Sequence, residues 1–184
     1  SMTMTEGPAA IESRADVESV VKPVAELVRQ ETADAFILAC FSDPGLALAR
    51  EATSKPVFGI AESAFLAALG LGFRFGIIAI LEQSIPHHVC AINSLGLRNR
   101  LAGDLAINSG VSGLDNETAS LPYMISAATR LRDQCGADTV ILGCAGMGRY
   151  RSKIERAVGL PVIDPVQAAV VRAVNYLSLG YRPA

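Results

Sequence analysis

Apolar and polar positions along the chain alternate between two periods. Val17, Val20, Val21, Val24, Leu27 and Val28 recur at the spacing of one helix face, which predicts a helix over 16–30. The run at 35–39 (Ala-Phe-Ile-Leu-Ala) is short and continuously apolar, as expected of a strand buried on both faces. The same alternation continues to the end. It predicts helices over 44–53, 64–71, 85–95, 118–134, 149–158 and 166–179, strands over 57–61, 75–80, 139–143 and 162–164, and a weaker strand near 105–108. Buried strands separated by helices predict an α/β protein built on parallel sheets.

An internal repeat lies within this alternation. Ala-Asp-Ala-Phe-Ile-Leu-Ala-Cys at 33–40 matches Ala-Asp-Thr-Val-Ile-Leu-Gly-Cys at 137–144, and each copy ends in a cysteine, Cys40 or Cys144. A turn of small residues, a helix and a second strand follow in both copies, with Pro56 and Pro161 in register to within one residue. The separation of the two cysteines, 104 residues, is too long for a solenoid period and fits two similar half-molecules. A pseudo-twofold axis would bring Cys40 and Cys144 together. Recurrent strand composition alone explains the shared Ile-Leu, but not the matched Ala-Asp or a cysteine at both strand ends.

Length and composition narrow the classes. The 184 residues suit one ordinary domain or two small ones sharing a cleft, and 51% hydrophobic residues against 18% charged allow a sizeable core. A net charge of −2, with no basic stripe to follow phosphates, argues against nucleic acid as a partner. Residues 1–11 carry neither a basic start nor an apolar stretch, so a cytoplasmic setting is expected. The most apolar region, 64–81, is interrupted by Arg74 and by Gly70, Gly72 and Gly76, so no membrane association is expected. The four cysteines form no C-x-x-C pair and are expected as reduced thiols.

Ligands of open parallel sheets bind beyond the carboxyl ends of strands, where both repeat cysteines fall. Each is expected just before a helix, whose free N–H groups would lower the thiol pKa. The small residues that follow, Ser42-Asp-Pro-Gly45 and Ala145-Gly-Met-Gly148, would let a ligand reach backbone amides able to hold an oxyanion. Two thiols on opposite sides of one pocket suit inversion at a C–H centre, one removing a proton and the other returning it to the opposite face. No Gly-x-Gly-x-x-Gly follows a strand, no lysine occupies a Schiff-base position and no metal-ligand spacing is present, so neither a cofactor nor a metal is expected.

Ala39-Cys-Phe-Ser-Asp-Pro-Gly45 and Leu142-Gly-Cys-Ala-Gly-Met147 resemble the two cysteine motifs of the aspartate/glutamate/hydantoin racemase superfamily, in its hydantoin and allantoin racemase branch. Gly-Pro-Ala-Ala-Ile-Glu-Ser at 7–13, Gly-Ile-Ala-Glu-Ser at 59–63 and Pro-Val-Ile-Asp-Pro at 161–165 extend the resemblance over nearly the whole chain. It implies an isomerase that racemises 5-substituted hydantoins or allantoin without a cofactor, with Cys40 and Cys144 as paired acid and base. Phe41, Ser42, Glu62, Ser63, Ala145, Gly146 and Met147 are the expected substrate contacts. The expected fold is two pseudo-symmetric flavodoxin-like domains, 1–61 with 165–184 and 62–164, with the site in the cleft between them. The expected partner is a small-molecule substrate, bound by a homo-oligomer. Members of the branch begin with a further strand and helix, and this sequence starts after that region, so the first domain is expected without its first strand. Two alternatives remain: another superfamily activity, such as aspartate/glutamate racemisation or maleate cis-trans isomerisation, and a catalytically silent binding or oligomeric protein. The motif after Cys144 argues against maleate isomerisation. The absence of the Cys-Asn-Thr and Cys-Thr-Glu sequences usual in amino-acid racemases argues against that substrate class.

Other polar residues have structural readings. Cys90 and Cys135 lack repeat partners and are expected as buried small hydrophobes. His87 and His88 are read as surface or packing residues. Asp43 would oppose a thiolate at Cys40 unless it caps the following helix, which is the preferred reading. Glu62 and Ser63 divide evenly between helix capping and substrate contact, and Asp164 is read as a cap.

Overall fold

A computed structural model describes residues 2–4 and 7–183, arranged as six strands and eight α-helices in two parallel sheets. The helix predicted over 16–30 is two helices, α1 (Arg14–Ser19) and α2 (Val21–Gln30), broken at Val20. Pro23 explains the break. It lacks the N–H that would bond the carbonyl of residue 19, and its ring crowds that carbonyl.

β1 (Phe36–Leu38) leads through the Cys40 loop to α3 (Leu46–Glu51), β2 (Val57–Gly59) and α4 (Ile60–Leu69). β1 and β2 pair in parallel as a two-stranded sheet. β3 (Phe75–Ala79), α5 (Ile85–Ser94), β4 (Leu101–Ala106), α6 (Glu117–Asp133), β5 (Thr139–Leu142), α7 (Arg151–Val158) and β6 (Val162–Ile163) form the second unit, and α8 (Pro165–Ser178) closes the described chain. The second sheet runs β4-β3-β5-β6, all parallel. Numbered within that unit, the order is 2-1-3-4, as in flavodoxin-like sheets, whose ligands bind at the switch point between the first and third strands.

The repeat is visible in this arrangement. β1, β2 and α4 correspond to β5, β6 and α8, and α4 packs directly against α8. Phe65, Ile60 and Ala64 of α4 share one core with Ile141 of β5, Ile163 of β6 and Ala169 of α8, so the two halves are joined by buried apolar surface. β4 begins earlier than the strand predicted near 105–108 and includes Asp104, a charge inside a sheet. His88 makes this tolerable, because its Nδ1 lies 2.8 Å from Asp104 Oδ2.

Candidate active site

Cys40 and Cys144 each stand two residues beyond a parallel strand, β1 and β5, and both line one cleft of about 460 Å³. The two loops repeat a hydrogen-bond pattern. The amide three residues after each cysteine donates to its carbonyl, Asp43 to Cys40 at 2.9 Å and Met147 to Cys144 at 3.1 Å. The amide two residues after, on Ser42 or Gly146, donates to the sulfur. After Cys144 the chain forms a 3₁₀ turn, Ala145–Tyr150, while Cys40 is followed by a tight turn through Asp43 and Gly45, both with positive φ.

The thiol pKa values depart from expectation. Burial pushes both above the ordinary thiol value, and this outweighs the amide hydrogen bonds from Ser42 and Gly146 that favour thiolate. The expected helix-end stabilisation is weak because neither cysteine abuts a regular α-helix: α3 starts six residues after Cys40, and only a 3₁₀ turn follows Cys144. Negative charge also opposes ionisation, from Asp43 at Cys40 and from Cys40 and Glu12 at Cys144.

Of the expected contacts, Phe41, Ser42, Ala145 and Gly146 line the cleft with the two thiols. Glu62, Ser63 and Met147 do not. Glu62 accepts from Arg50 at 3.0 Å through both carboxylate oxygens and from Arg172 at 3.1 Å. Burial would push its carboxyl up, but the two arginines outweigh that and hold it below the usual range. Ser63 donates to the Gly59 carbonyl at 2.6 Å within α4 and accepts from Arg172. Met147 is fully buried in the core of the second unit.

Asp43 takes the capping role considered for Glu62. Its carboxylate accepts from the amides of Ala61 at 3.0 Å and Glu62 at 2.8 Å, so it caps α4 rather than α3, the helix next in sequence. Gly59 permits this approach, since a Cβ there would collide with the Asp43 carboxylate. Burial raises the Asp43 pKa to about 7. Asp164 caps α8 as expected, accepting from Val166 at 2.8 Å.

Two features of the cleft are not evident in the sequence. Residues 7–11 form part of its wall, anchored by Glu12, which accepts from the Val111 amide at 2.8 Å. His88 also lines it, buried, with its ring edge-on to Phe41 at 5.0 Å. A charged residue in the middle of a buried strand, Asp104, was the available signal that a partner such as His88 would sit opposite. The four cysteines are free thiols, and Cys90 is exposed on α5 rather than buried. Cys135 is half-buried against Gly103. Among the described residues no group of three or more His, Cys, Asp or Glu is placed to hold a metal, and no helix is long and apolar enough to cross a membrane.

Known proteins share both sequence and geometry with this chain. The family model for Asp/Glu/Hydantoin racemase matches residues 1–173. The hydantoin racemase of Paenarthrobacter aurescens is 35% identical over 181 residues, covering 96% of this chain and 77% of that protein. The structure of allantoin racemase from Klebsiella pneumoniae superposes with a TM-score of 0.91 at 30% identity, over 98% of this chain and 75% of that one. Allantoin racemase from Pseudomonas fluorescens superposes with a TM-score of 0.93 at 26% identity, over 100% of this chain and 79% of that one. With its paired cysteine loops on one cleft, the chain belongs to the Asp/Glu/Hydantoin racemase family.

Proposed function

We propose that the cleft racemises a hydantoin-type ring, a 5-substituted hydantoin or allantoin, by proton transfer between Cys40 and Cys144 without a cofactor. The observation that carries this reading is the placement of both repeat cysteines on one cleft of about 460 Å³. The similarity to a hydantoin racemase and to two allantoin racemases supports the substrate class.

In the proposed reaction one cysteine is a thiolate and the other a thiol. The thiolate takes the proton from ring C5, forming S–H, and the C–H electron pair moves into the ring as an enolate whose charge rests on the adjacent carbonyl oxygen. The opposite thiol then gives its proton to the other face of C5 and becomes the thiolate. The site thus ends as the mirror of its starting state, ready to run in reverse. Burial suits the thiol that donates and works against the thiolate that abstracts. Phe41, Ser42, Ala145 and Gly146 are the proposed contacts to the ring.

The same reading takes 1–61 with 165–184 and 62–164 as the two halves that enclose the ring. The first boundary falls inside α4, so that helix belongs to both. A homo-oligomer is part of the proposal, supported by the exposed apolar side chains Val170, Val171, Val174 and Leu177 along α8. Chiral chromatography of single enantiomers of several 5-substituted hydantoins and of allantoin, with reduced protein, tests the function. Loss of enantiomeric purity with at least one is expected, and retained purity with all of them would overturn the reading.

A further inference from the structure

The proposed chemistry requires the cleft to hold an anion throughout, first as a thiolate and then as an enolate oxygen. Among the described residues that line it there is no Lys, Arg, Asp or Glu, and besides the two thiols His88 is the lining side chain that carries a basic nitrogen. His88 is held by Asp104. Its Nδ1 lies 2.8 Å from Asp104 Oδ2, with the two side chains 2% and 3% exposed. Its ring packs against Phe41, the neighbour of Cys40. The second carboxylate oxygen, Asp104 Oδ1, is buried without a hydrogen-bond partner. Asp104 therefore serves the imidazole rather than a wider network. With Nδ1 engaged, Nε2 is the ring nitrogen left free to take or give a proton.

We propose that His88, oriented by Asp104, is the positively charged partner of the thiolate in this cleft. The proton lost when the working cysteine ionises is held at Nε2: the S–H bond breaks, an N–H bond forms, and Asp104 balances the imidazolium from behind. When the thiolate takes the C5 proton, the negative charge passes to the ring oxygen and the cation remains to stabilise it. When the second thiol protonates C5, the charge passes to that sulfur. One cation serves both cysteines, and no other reactant is needed. The ionisable groups around the imidazole are Asp104 on β4, Glu82 on the turn before α5, which acts on Asp104, and the two thiols. Arg100, on the turn after α5, is committed to the carbonyls of Gly72 and Phe73.

This inference rests on the two-thiol reading of the cleft, but its test needs no substrate. Alkylation of Cys40 and Cys144 by iodoacetamide is followed residue by residue with peptide mass spectrometry, from about pH 6 to 10. Burial alone pushes both thiols up, so a thiolate paired with the imidazolium is recognised by a plateau: in the wild-type protein at least one of the two should still react near pH 7. In His88→Gln that plateau should vanish, slowing alkylation near pH 7 by about tenfold or more, the factor for each unit of thiol pKa. The rates should converge near pH 10, where both proteins carry thiolate. Asp104→Asn should shift the profile the same way by less. A purely structural role for His88 would slow alkylation equally at every pH. That result, or profiles in both variants that superpose on the wild type, would overturn the proposal. If His88→Gln does not fold, ¹⁵N NMR of the wild-type ring decides: an imidazolium signal lost on cysteine alkylation supports the pairing, and a neutral ring throughout contradicts it. A chain that racemises none of the hydantoins would sink the proposed function, while this profile would still settle the role of His88.

Discussion

The two cysteine loops are alike in their hydrogen bonds and unlike in their surroundings. β5, ahead of Cys144, lies between β3 and β6 and is buried along its length, whereas β1, ahead of Cys40, pairs only with β2 among the described residues and is half-exposed. The residue before Cys144 is Gly143, where a Cβ would sit 2.5 Å from the Ile78 carbonyl oxygen. Its counterpart before Cys40 is the exposed Ala39. The Cys40 loop carries a half-buried acid, Asp43, held at φ 43° to cap a neighbouring helix, while no acid stands in the turn Ala145–Tyr150 after Cys144. The repeat therefore preserves the local path that points each sulfur into the cleft. It does not preserve the electrostatics, so the two thiols are not equivalent.

The most severe way to break this comparison is to remove a sulfur. Cys40→Ser and Cys144→Ser should each reduce racemisation by about 10³-fold or more, because a hydroxyl is too weak a base to replace the thiolate. Gly143→Ala should destabilise by about 1–3 kcal/mol, since β3 backbone blocks the added methyl. The matched Ala39→Gly should cost under about 1 kcal/mol, chiefly chain entropy. Thermal or urea unfolding of both measures the contrast, and equal costs would mean that the halves are packed alike.

Asp43→Asn sharpens the electrostatic difference. The Asp43 pKa, raised to about 7 in the fold, lies above its unfolded value, so its contribution is fully present below about pH 4 and is lost as pH rises through about 7. The wild type should lose stability on the order of 2–4 kcal/mol across that window from this group, and Asp43→Asn should flatten the slope. The same variant should speed Cys40 alkylation near pH 7 and leave Cys144 little changed. Thermal melts near pH 5 and pH 8 check the first expectation, and peptide-resolved alkylation the second. The smallest effect is expected at the cysteines outside the repeat. Cys90→Ser and Cys135→Ser should keep turnover within a few-fold and stability within about 1 kcal/mol.

Much of this was legible in the chain because buried parallel strands write themselves as short apolar runs, and the cysteines stand at the ends of two matching ones. All six strands were located, with β4 displaced because Asp104 interrupts its pattern. The distinction between cleft and core was harder to read. Met147 follows Cys144 by three residues, yet a 3₁₀ turn aims it into the core, and Glu62 is drawn to Arg50 and Arg172, the latter remote in sequence. Asp43 was recognised as a cap, but its target is a helix brought beside it only by β2 and the tightness of Gly59. The direction of the thiol shifts was misread because sequence proximity to a helix start says nothing about burial. His88 reads as a surface or packing residue in the sequence because its partner, Asp104, lies on a separate strand.

The central claim, that Cys40 and Cys144 each serve one face of a substrate carbon, is tested most directly by solvent exchange in the single serine variants. Each variant is incubated in deuterated buffer with the separate enantiomers of one hydantoin, and C5 deuterium is followed by NMR after subtraction of uncatalysed exchange. A remaining thiolate can remove and return the proton on its own face, so one enantiomer should exchange with retained configuration. Cys40→Ser and Cys144→Ser should show opposite enantiomer preferences. Exchange of the same enantiomer by both, or undiminished racemisation in either, would contradict the assignment.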